Sequence, residues 1–348
     1  MKKFNKLLNR LGIARIIIIL FFIALCILAV VIKLPISMLL SETIMRTGMY
    51  GILVLAMVPG IISGTGLNFG IPIGIICGLV GGLYSIEFNL NGFTGFFTAV
   101  AISIPLAAAI GYGYGLLINK VKGSEMMVGT YMGFSAVSLM CIGWLLIPFN
   151  SPAIKWPIGK GVRVTISLSE RYAKVLNNFM NFKIGEVEIP TGLILFLFIN
   201  CLFMWIFLRS KSGVTMKAAG DNPKFAEASG INVDKCRLRG IILSTVLGAV
   251  GIIVYAQSYG FYQLYQSPMM MGFPAVASIL IGGASTNDAK ISHVLVGTFL
   301  FQGLLVMALP ITNEIVKEGD LSEIVRIIVS NGIILYALTK AGGGEECE

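Results

Sequence analysis

Runs of roughly twenty apolar residues are long enough to cross the hydrocarbon core of a bilayer as helices. This chain carries ten such runs, near 13–34, 47–64, 69–87, 95–118, 126–148, 190–208, 238–258, 271–285, 292–311 and 323–340. Spanning strands would be about ten residues long and would alternate in character, so the pattern predicts an all-α integral membrane protein and not a barrel. Composition agrees: of 348 residues, 56% are hydrophobic and 12% charged, and the mean hydropathy is +0.87. An ordinary soluble domain carries roughly twice that share of charge.

The first run follows Lys2, Lys3, Lys6, Arg10 and Arg15. It is too long for a signal-peptide core and lacks a small-x-small site before Pro35, so it is expected to be a retained span. The net charge of +9 sits at the ends of apolar runs, which fits membrane topology better than nucleic-acid binding. With the basic start in the cytoplasm, ten crossings place three more features on that side: the joint holding Lys120 and Lys122, the loop 209–237, and the second terminus. The longer stretch 209–239 carries Arg209, Lys211, Lys217, Lys224, Lys235, Arg237 and Arg239, as the positive-inside rule requires. Residues 149–189 then form an extracytoplasmic segment. Within it, 166–182 reads either as a short amphipathic element over the outer mouth or as a solvated connector.

Two of the runs share a pattern. "GIPIGIICGLVGG" (70–82) and "GFPAVASILIGGA" (272–284) each open on Gly-x-Pro and repeat a glycine eleven residues later. They are the third and eighth spans, so a five-plus-five inverted repeat with interrupted helices is expected. Non-helical backbone at membrane depth is tolerated only when buried in protein or lining a cavity. Gly64, Gly66 and Gly70 permit such a break, and Pro72 fits the first turn of a restarted helix. Asn68 adds a donor and an acceptor. Gly66, Asn68, Phe69, Gly70, Pro72, Gly272, Pro274 and Ser278 form the expected substrate path. The competing reading is close helix packing through the glycines. Gln257, Tyr255, Gln302 and Asn331 are polar residues in apolar runs that fit interhelical hydrogen bonds equally well. Glu87 and Glu125 lie at span ends, within reach of interfacial water.

No catalytic or metal-binding set is evident. Cys26, Cys77, Cys141 and Cys201 fall in apolar runs, Cys236 in the basic loop and Cys347 in the tail, and none has ligand spacing. His293 reads as a helix-end residue, no metal is expected, and no cofactor is implied. The spans offer no paired carboxylates, no His-Glu-x-x-His and no Ser/His or Cys/His set, and the chain has no phosphate-binding Gly-x4-Gly-Lys-Ser/Thr loop. It is expected not to be an enzyme, and any ATP-driven function needs a separate motor.

The loop contains "GDNPKFAEASGIN" (220–232), in which Asn-Pro opens a short helix and Gly230 stops it. The pattern Gly-x-Asn-Pro-x-x-Ala-x-x-Ser-Gly-Ile resembles the cytoplasmic loop of permease subunits of ABC importers of the ribose, simple-sugar and branched-chain amino acid type, nucleoside-type members included. "AVASILIGGAS" (275–285) resembles that family's following span, and the similarity runs from about residue 48 to 340. The resemblance implies that Gly220, Asp221, Asn222, Pro223, Ala226, Glu227, Ser229 and Gly230 couple to a cytoplasmic ABC ATPase. It also implies an extracytoplasmic solute-binding protein, a second permease subunit, identical or homologous, and a place in the cytoplasmic membrane of a prokaryote. Phe225 stands where sugar-type loops usually carry alanine, and Gly66 where ribose-type members carry an acid. "LNFG" (67–70) is similar to the Asn-x-Gly of nucleoside-type members. A simple sugar is the first expectation for the cargo, with a nucleoside as the alternative. A secondary carrier or channel that needs no ATPase is the alternative class.

Overall fold

Backbone groups that cannot bond to lipid must pair within their own segment, and a helix does this completely. A computed structural model of the chain describes residues 13–156 and 161–316, with 324, 327–328, 331–332 and 334–335 beyond them. The first half holds α1 (Ile13–Val31), α2 (Ile36–Leu55), α3 (Met57–Ile62), α4 (Ile71–Glu87), α5 (Gly92–Lys120) and α6 (Glu125–Leu146). A connecting segment follows, with β1 (Thr165–Ser167), α7 (Val175–Asn178), β2 (Phe182–Ile184) and β3 (Val187–Ile189). Then come α8 (Thr191–Arg209), α9 (Lys211–Asp221), α10 (Pro223–Ala228), α11 (Val233–Tyr259), β4 (Phe261–Gln263), α12 (Gln266–Met270), α13 (Gly272–Ile281) and α14 (Ile291–Val316).

Among the described residues, six helical stretches are long and apolar enough to cross a membrane: Ile36–Ile62, Gly92–Lys120, Glu125–Leu146, Thr191–Arg209, Val233–Tyr259 and Ile291–Glu314. Arg15–Val31, Ile71–Glu87 and Gln266–Ile281 are shorter apolar helices. The protein is a multi-pass helical membrane protein. The expected tenth span, 323–340, lies largely outside the described residues.

The second span begins eleven residues before its expected start. Hydropathy hides these three turns because they are rich in polar residues, yet most of those bond back along the helix. Ser41, Thr43 and Thr47 hydroxyls donate to the carbonyls of Ser37, Leu39 and Thr43, and Arg46 bonds Glu42 one turn back.

The core is built on α4, which is buried along nearly all of its length between α5 and α11. Its glycines decide how close those neighbours come. A Cβ at Gly74 would lie 2.4 Å from the Thr245 carbonyl oxygen, and one at Gly78 2.4 Å from that of Ala249, so α4 and α11 meet backbone to backbone. Gly81 does the same against Ala99 of α5, at 2.7 Å. The glycine row of the third span is therefore a packing seam, and α4 runs unbroken through it.

Two segments cap opposite ends of the bundle. The described residues of 147–156 and 161–190 roof one end: Asn150 and Ser151 amides donate to the Glu87 carboxylate, and Asn177 bonds Ser258 and Gln257 at the end of α11. Tyr172 shares a hydroxyl contact of 3.0 Å with Tyr262 and donates to the Gly82 carbonyl, while β1 pairs antiparallel with β4. The phenols of Tyr172 and Tyr262 are buried, which holds both well above their ordinary pKa and keeps them as neutral donors. The stretch 166–182 is thus not one amphipathic helix but a strand, a turn, a single helical turn and the start of a hairpin. The opposite end carries α9 and α10.

Candidate functional site

Residues 63–70 are the break between α3 and α4, and they lie against the α9–α10 end. The Gly60 carbonyl, at the end of α3, accepts from the hydroxyls of Ser63 and Thr65, both at 2.9 Å. Gly64 and Gly66 then take left-handed conformations, with φ of 75° and 73°, which only glycine enters without strain. The turn is pressed onto the end of α9: a Cβ on Gly220 would lie 2.2 Å from the Ile62 carbonyl oxygen and 2.9 Å from the Gly64 nitrogen. Gly66, expected on the substrate path, lies at this end beside the start of α6, where a Cβ on it would lie 3.2 Å from Met126.

Arg237, one turn into α11, fastens the same corner. Its Nη2 lies 2.5 Å from Glu125 Oε1, its Nε 3.2 Å from Asn119 Oδ1, and its Nη1 3.4 Å from the Gly64 carbonyl. The ion pair is nearly closed to solvent, at 9% and 15% side-chain exposure. Glu125 Oε2 also accepts from the Gly123 amide, and Asn119 Nδ2 donates to the Asp234 carbonyl. Glu125 was expected to reach interfacial water; it is instead held by Arg237, because a buried guanidinium is tolerated only beside a carboxylate.

Asn68 has no free polar group. Its amide donates to Ser244 Oγ at 2.7 Å, while Oδ1 accepts from Tyr114 at 3.0 Å and from the Gly70 amide at 2.9 Å. The side chain closes the turn just before the restarted helix and ties it to α5 and α11. Gly70 leaves room for this, since a Cβ there would lie 2.2 Å from the Tyr114 hydroxyl.

The two Gly-x-Pro starts, 202 residues apart in sequence, meet in space. Phe69 and Phe273 rings stand 5.8 Å apart, and a Cβ on Gly272 would lie 3.9 Å from Ile71. A small apolar cavity between them is lined by Phe69, Pro72, Thr130, Phe134, Gly272 and Phe273. From this point α4 runs toward the roofed end and α13 toward the Gly64 end. Their likeness stops there: Gly81 is helical and packed in α4, whereas Gly283 follows the end of α13 with φ of 100°. Pro274 lies in the first turn of α13, and Ser278 donates to its carbonyl at 2.7 Å from a buried position. The break in the first half precedes its helix, and α13 is only ten residues long.

The segment 209–237 is more ordered than a loop. Ser210 caps α9, and Asn222 Oδ1 accepts the Phe225 amide at 3.0 Å to start α10 behind Pro223. The helix closes with Ile231 N–H on the Ala226 carbonyl and Gly230 N–H on that of Glu227, both at 2.9 Å. Gly230, at φ 79°, completes this stop. Ala226 alone is buried; Asp221, Asn222, Pro223, Glu227, Ser229 and Gly230 are exposed, and Phe225 is 67% exposed.

Of the other polar residues, Gln257 bonds Asn177 and the Leu176 amide, and Gln302 is buried with its Oε1 unpartnered among the described residues. Asn331 is exposed. His293 Nδ1 accepts the Lys290 amide at a helix start, as expected. Cys26, Cys77, Cys141, Cys201 and Cys236 are free, and the described residues hold no metal-ligand cluster. Sequence reasoning missed Glu42 and Arg46, which it placed in a joint. They belong to α2, where both border two cavities and Glu42 a third; their spacing of four, the separation of an ion pair along a helix, was the available signal.

The chain belongs to the family described as "Branched-chain amino acid transport system / permease component", whose profile matches residues 39–335. The family is one of ABC-transporter permeases. It is 30% identical over 114 residues to the nucleoside ABC transporter permease protein NupC of Lactococcus lactis, covering 33% of this chain and 36% of that one. It is 26% identical over 170 residues to a tyrosine transport system permease protein of Clostridioides difficile, covering 47% and 54%. With the galactofuranose transporter permease protein YtfT of Escherichia coli it shares 23% over 216 residues, 60% and 62% of the two chains. The chain thus spans between about a third and two thirds of the length of these relatives. No solved structure matches it.

Proposed function

We propose that this chain is the permease subunit of an ATP-driven importer and that its ten spans are arranged as five plus five. In this reading both termini and the α9–α10 end face the cytoplasm, and residues 147–190 face outward toward a solute-binding protein. The observation that carries the reading is the backbone contact of Gly220 with Gly64. It joins α10, which offers an exposed apolar tip at Phe225, to the turn that leads into α4. A force applied to α10 reaches the meeting point of α4 and α13 through two rigid elements and one glycine contact.

The exposed side chains of Asp221, Asn222, Pro223, Glu227 and Ser229, with Gly230, form the face for the ATPase, while Gly220 and Ala226 transmit its movement inward. Phe69, Pro72, Gly272 and Phe273 close the route where the two helix starts meet; Gly66, Asn68 and Gly70 frame it, and Pro274 and Ser278 hold α13. Hydrolysis belongs to the ATPase, and a second permease subunit, identical or homologous, completes the transporter. The cargo is a small polar solute of the sugar or nucleoside kind, the chemistry named for the Lactococcus and Escherichia relatives.

Proteoliposomes test the reading. Uptake is expected only when the ATPase and ATP are present, and Gly220→Val is expected to abolish it while the purified chain stays folded. Solute uptake by the permease alone, without ATPase, would favour a secondary carrier and overturn the importer reading.

A further inference from the structure

Beside the roofed end, α2 and the last turns of α11 enclose a cavity of about 270 Å³, bordered by Glu42, Arg46, Tyr50, Lys174, Tyr255 and Tyr259. A second of about 220 Å³ adjoins it and shares Glu42, Met45 and Lys174. Together they approach the size of small-molecule sites, which combine aromatic walls with a few placed polar groups. None of these residues belongs to the path argued above. We propose that this cavity is the outward solute site of the permease and that it takes a nucleobase-bearing solute, a nucleoside. The assignment rests on the importer reading, which makes the roofed end the side of arrival.

Three features select this chemistry. The first is a set of rings: Tyr255 stands edge-on to Tyr50 with centroids 5.1 Å apart and is stacked on Tyr259 at 5.4 Å and 19°. Tyr259 is half exposed at the cavity rim, so its ring can take a further planar group by the stacking that aromatic side chains offer any base. The second is a paired donor and acceptor. Arg46 directs both Nε and Nη2 to one oxygen of Glu42, at 2.9 and 2.8 Å. Glu42 Oε2 and Arg46 Nη1 take no part in these two bonds. An adjacent acceptor and donor match the mixed edge of a base, where guanidinium and carboxylate are established readers. Because the two charges cancel, the pair suits an uncharged solute.

The third is Lys174, whose Nζ makes no ion pair among the described residues. Its backbone is left-handed, at φ 54°, and its amide is bound to the Gln257 carbonyl at 2.6 Å. A lysine in this conformation is uncommon; here it stands over the cavity, where an ammonium donates to ribose hydroxyls. A bare pentose would use this donor but leave the ring stack and the ion pair idle.

The test has one arm that needs no partner. The purified full-length chain is irradiated with 5-iodouridine, and the adducts are mapped by mass spectrometry. Labelling at Tyr255 or Tyr259, displaced by excess uridine or guanosine and not by ribose, is the expected result. Labelling elsewhere only, or displacement by ribose or by tyrosine alone, overturns it. In the second arm the reconstituted transporter takes up radiolabelled guanosine. Tyr259→Ala, at an exposed position that leaves the core intact, is expected to raise KM about tenfold at unchanged maximal rate, and Glu42→Gln several-fold. Unchanged KM in both variants, with ATP-driven uptake normal, defeats the site and leaves the importer standing. Absence of ATP-driven uptake in the parent, with specific photolabelling retained, defeats the importer reading instead.

Discussion

The two ends of the bundle are built by different rules. At the α9–α10 end, backbone meets backbone: Gly220 sits on the turn at Gly64, Gly240 on Ser63, and the ion pair of Arg237 and Glu125 is tied by the guanidinium to Asn119 and the Gly64 carbonyl. At the roofed end, hydroxyls, amides and rings leave space between them, and the ion pair of Glu42 and Arg46 lines cavities. A glycine contact without side chains cannot repack by small steps, which in the proposed mechanism makes that end either shut or parted. Side-chain walls adjust, so the other end can admit a solute without reorganising the fold. In the proposed mechanism this asymmetry is the alternating device: the end that ATP must open is sealed by rigid contacts, and the end that selects is lined by adaptable ones.

The contrast breaks most sharply at Glu125. Glu125→Ala leaves Arg237 buried without a counter-charge, a loss of about 3 kcal/mol. It is expected to lower the unfolding midpoint of the detergent-purified chain and to uncouple ATP hydrolysis from uptake. The exchange of both charges, Glu125→Arg with Arg237→Glu, is expected to restore part of each; no recovery would mean that Asn119 and Gly64, not the ion pair, hold the corner. Next comes Asn68→Ala, which strands the Ser244 and Tyr114 hydroxyls and the Gly70 amide. Its cost is on the order of 2 kcal/mol, seen in urea or thermal unfolding, and equal losses of stability and transport would make Asn68 a frame residue and not a solute contact.

At the roofed end, Tyr172→Phe removes one hydroxyl shared by Tyr262 and Gly82 and is expected to cost about 1 kcal/mol. Hydrogen exchange should rise at β1 and β4 and stay unchanged at α10. Smallest for the fold is Phe225→Ala, expected to shift stability by less than about 0.5 kcal/mol because the ring is exposed. Pull-down of the ATPase subunit should nonetheless weaken about tenfold. Unweakened capture would place the docking face elsewhere on α9 or α10.

Much of this was legible in the sequence. The apolar runs required a helical membrane protein, because the bilayer leaves backbone groups no other partner. Asn222-Pro223 and Gly230 delimited α10, since a cap side chain and a left-handed glycine act within a few residues of chain. What failed were the inferences that needed depth or distance. Hydropathy cut α2 short because hydroxyls bonded to their own helix still count as polar. The glycines of 70–82 fitted a break or close packing alike; Gly74, Gly78 and Gly81 are contacts with α11 and α5, and no local signal tells a breaking glycine from a packing one.

The sequence by itself determined the solvent this chain must fold in, the number and kind of its apolar runs, and the short capped helix at one end; each depends on neighbours within a few turns. Only the tertiary structure decided that Gly64 rests on Gly220, that Phe69 meets Phe273, that Asn68 is fully bonded, and that Glu42 and Arg46 face a cavity of tyrosines. These pairings join residues from distant parts of the chain, and they are set by how closely α4, α5 and α11 approach one another. That separation is fixed by backbone contact at a few glycines, which a one-dimensional pattern does not contain.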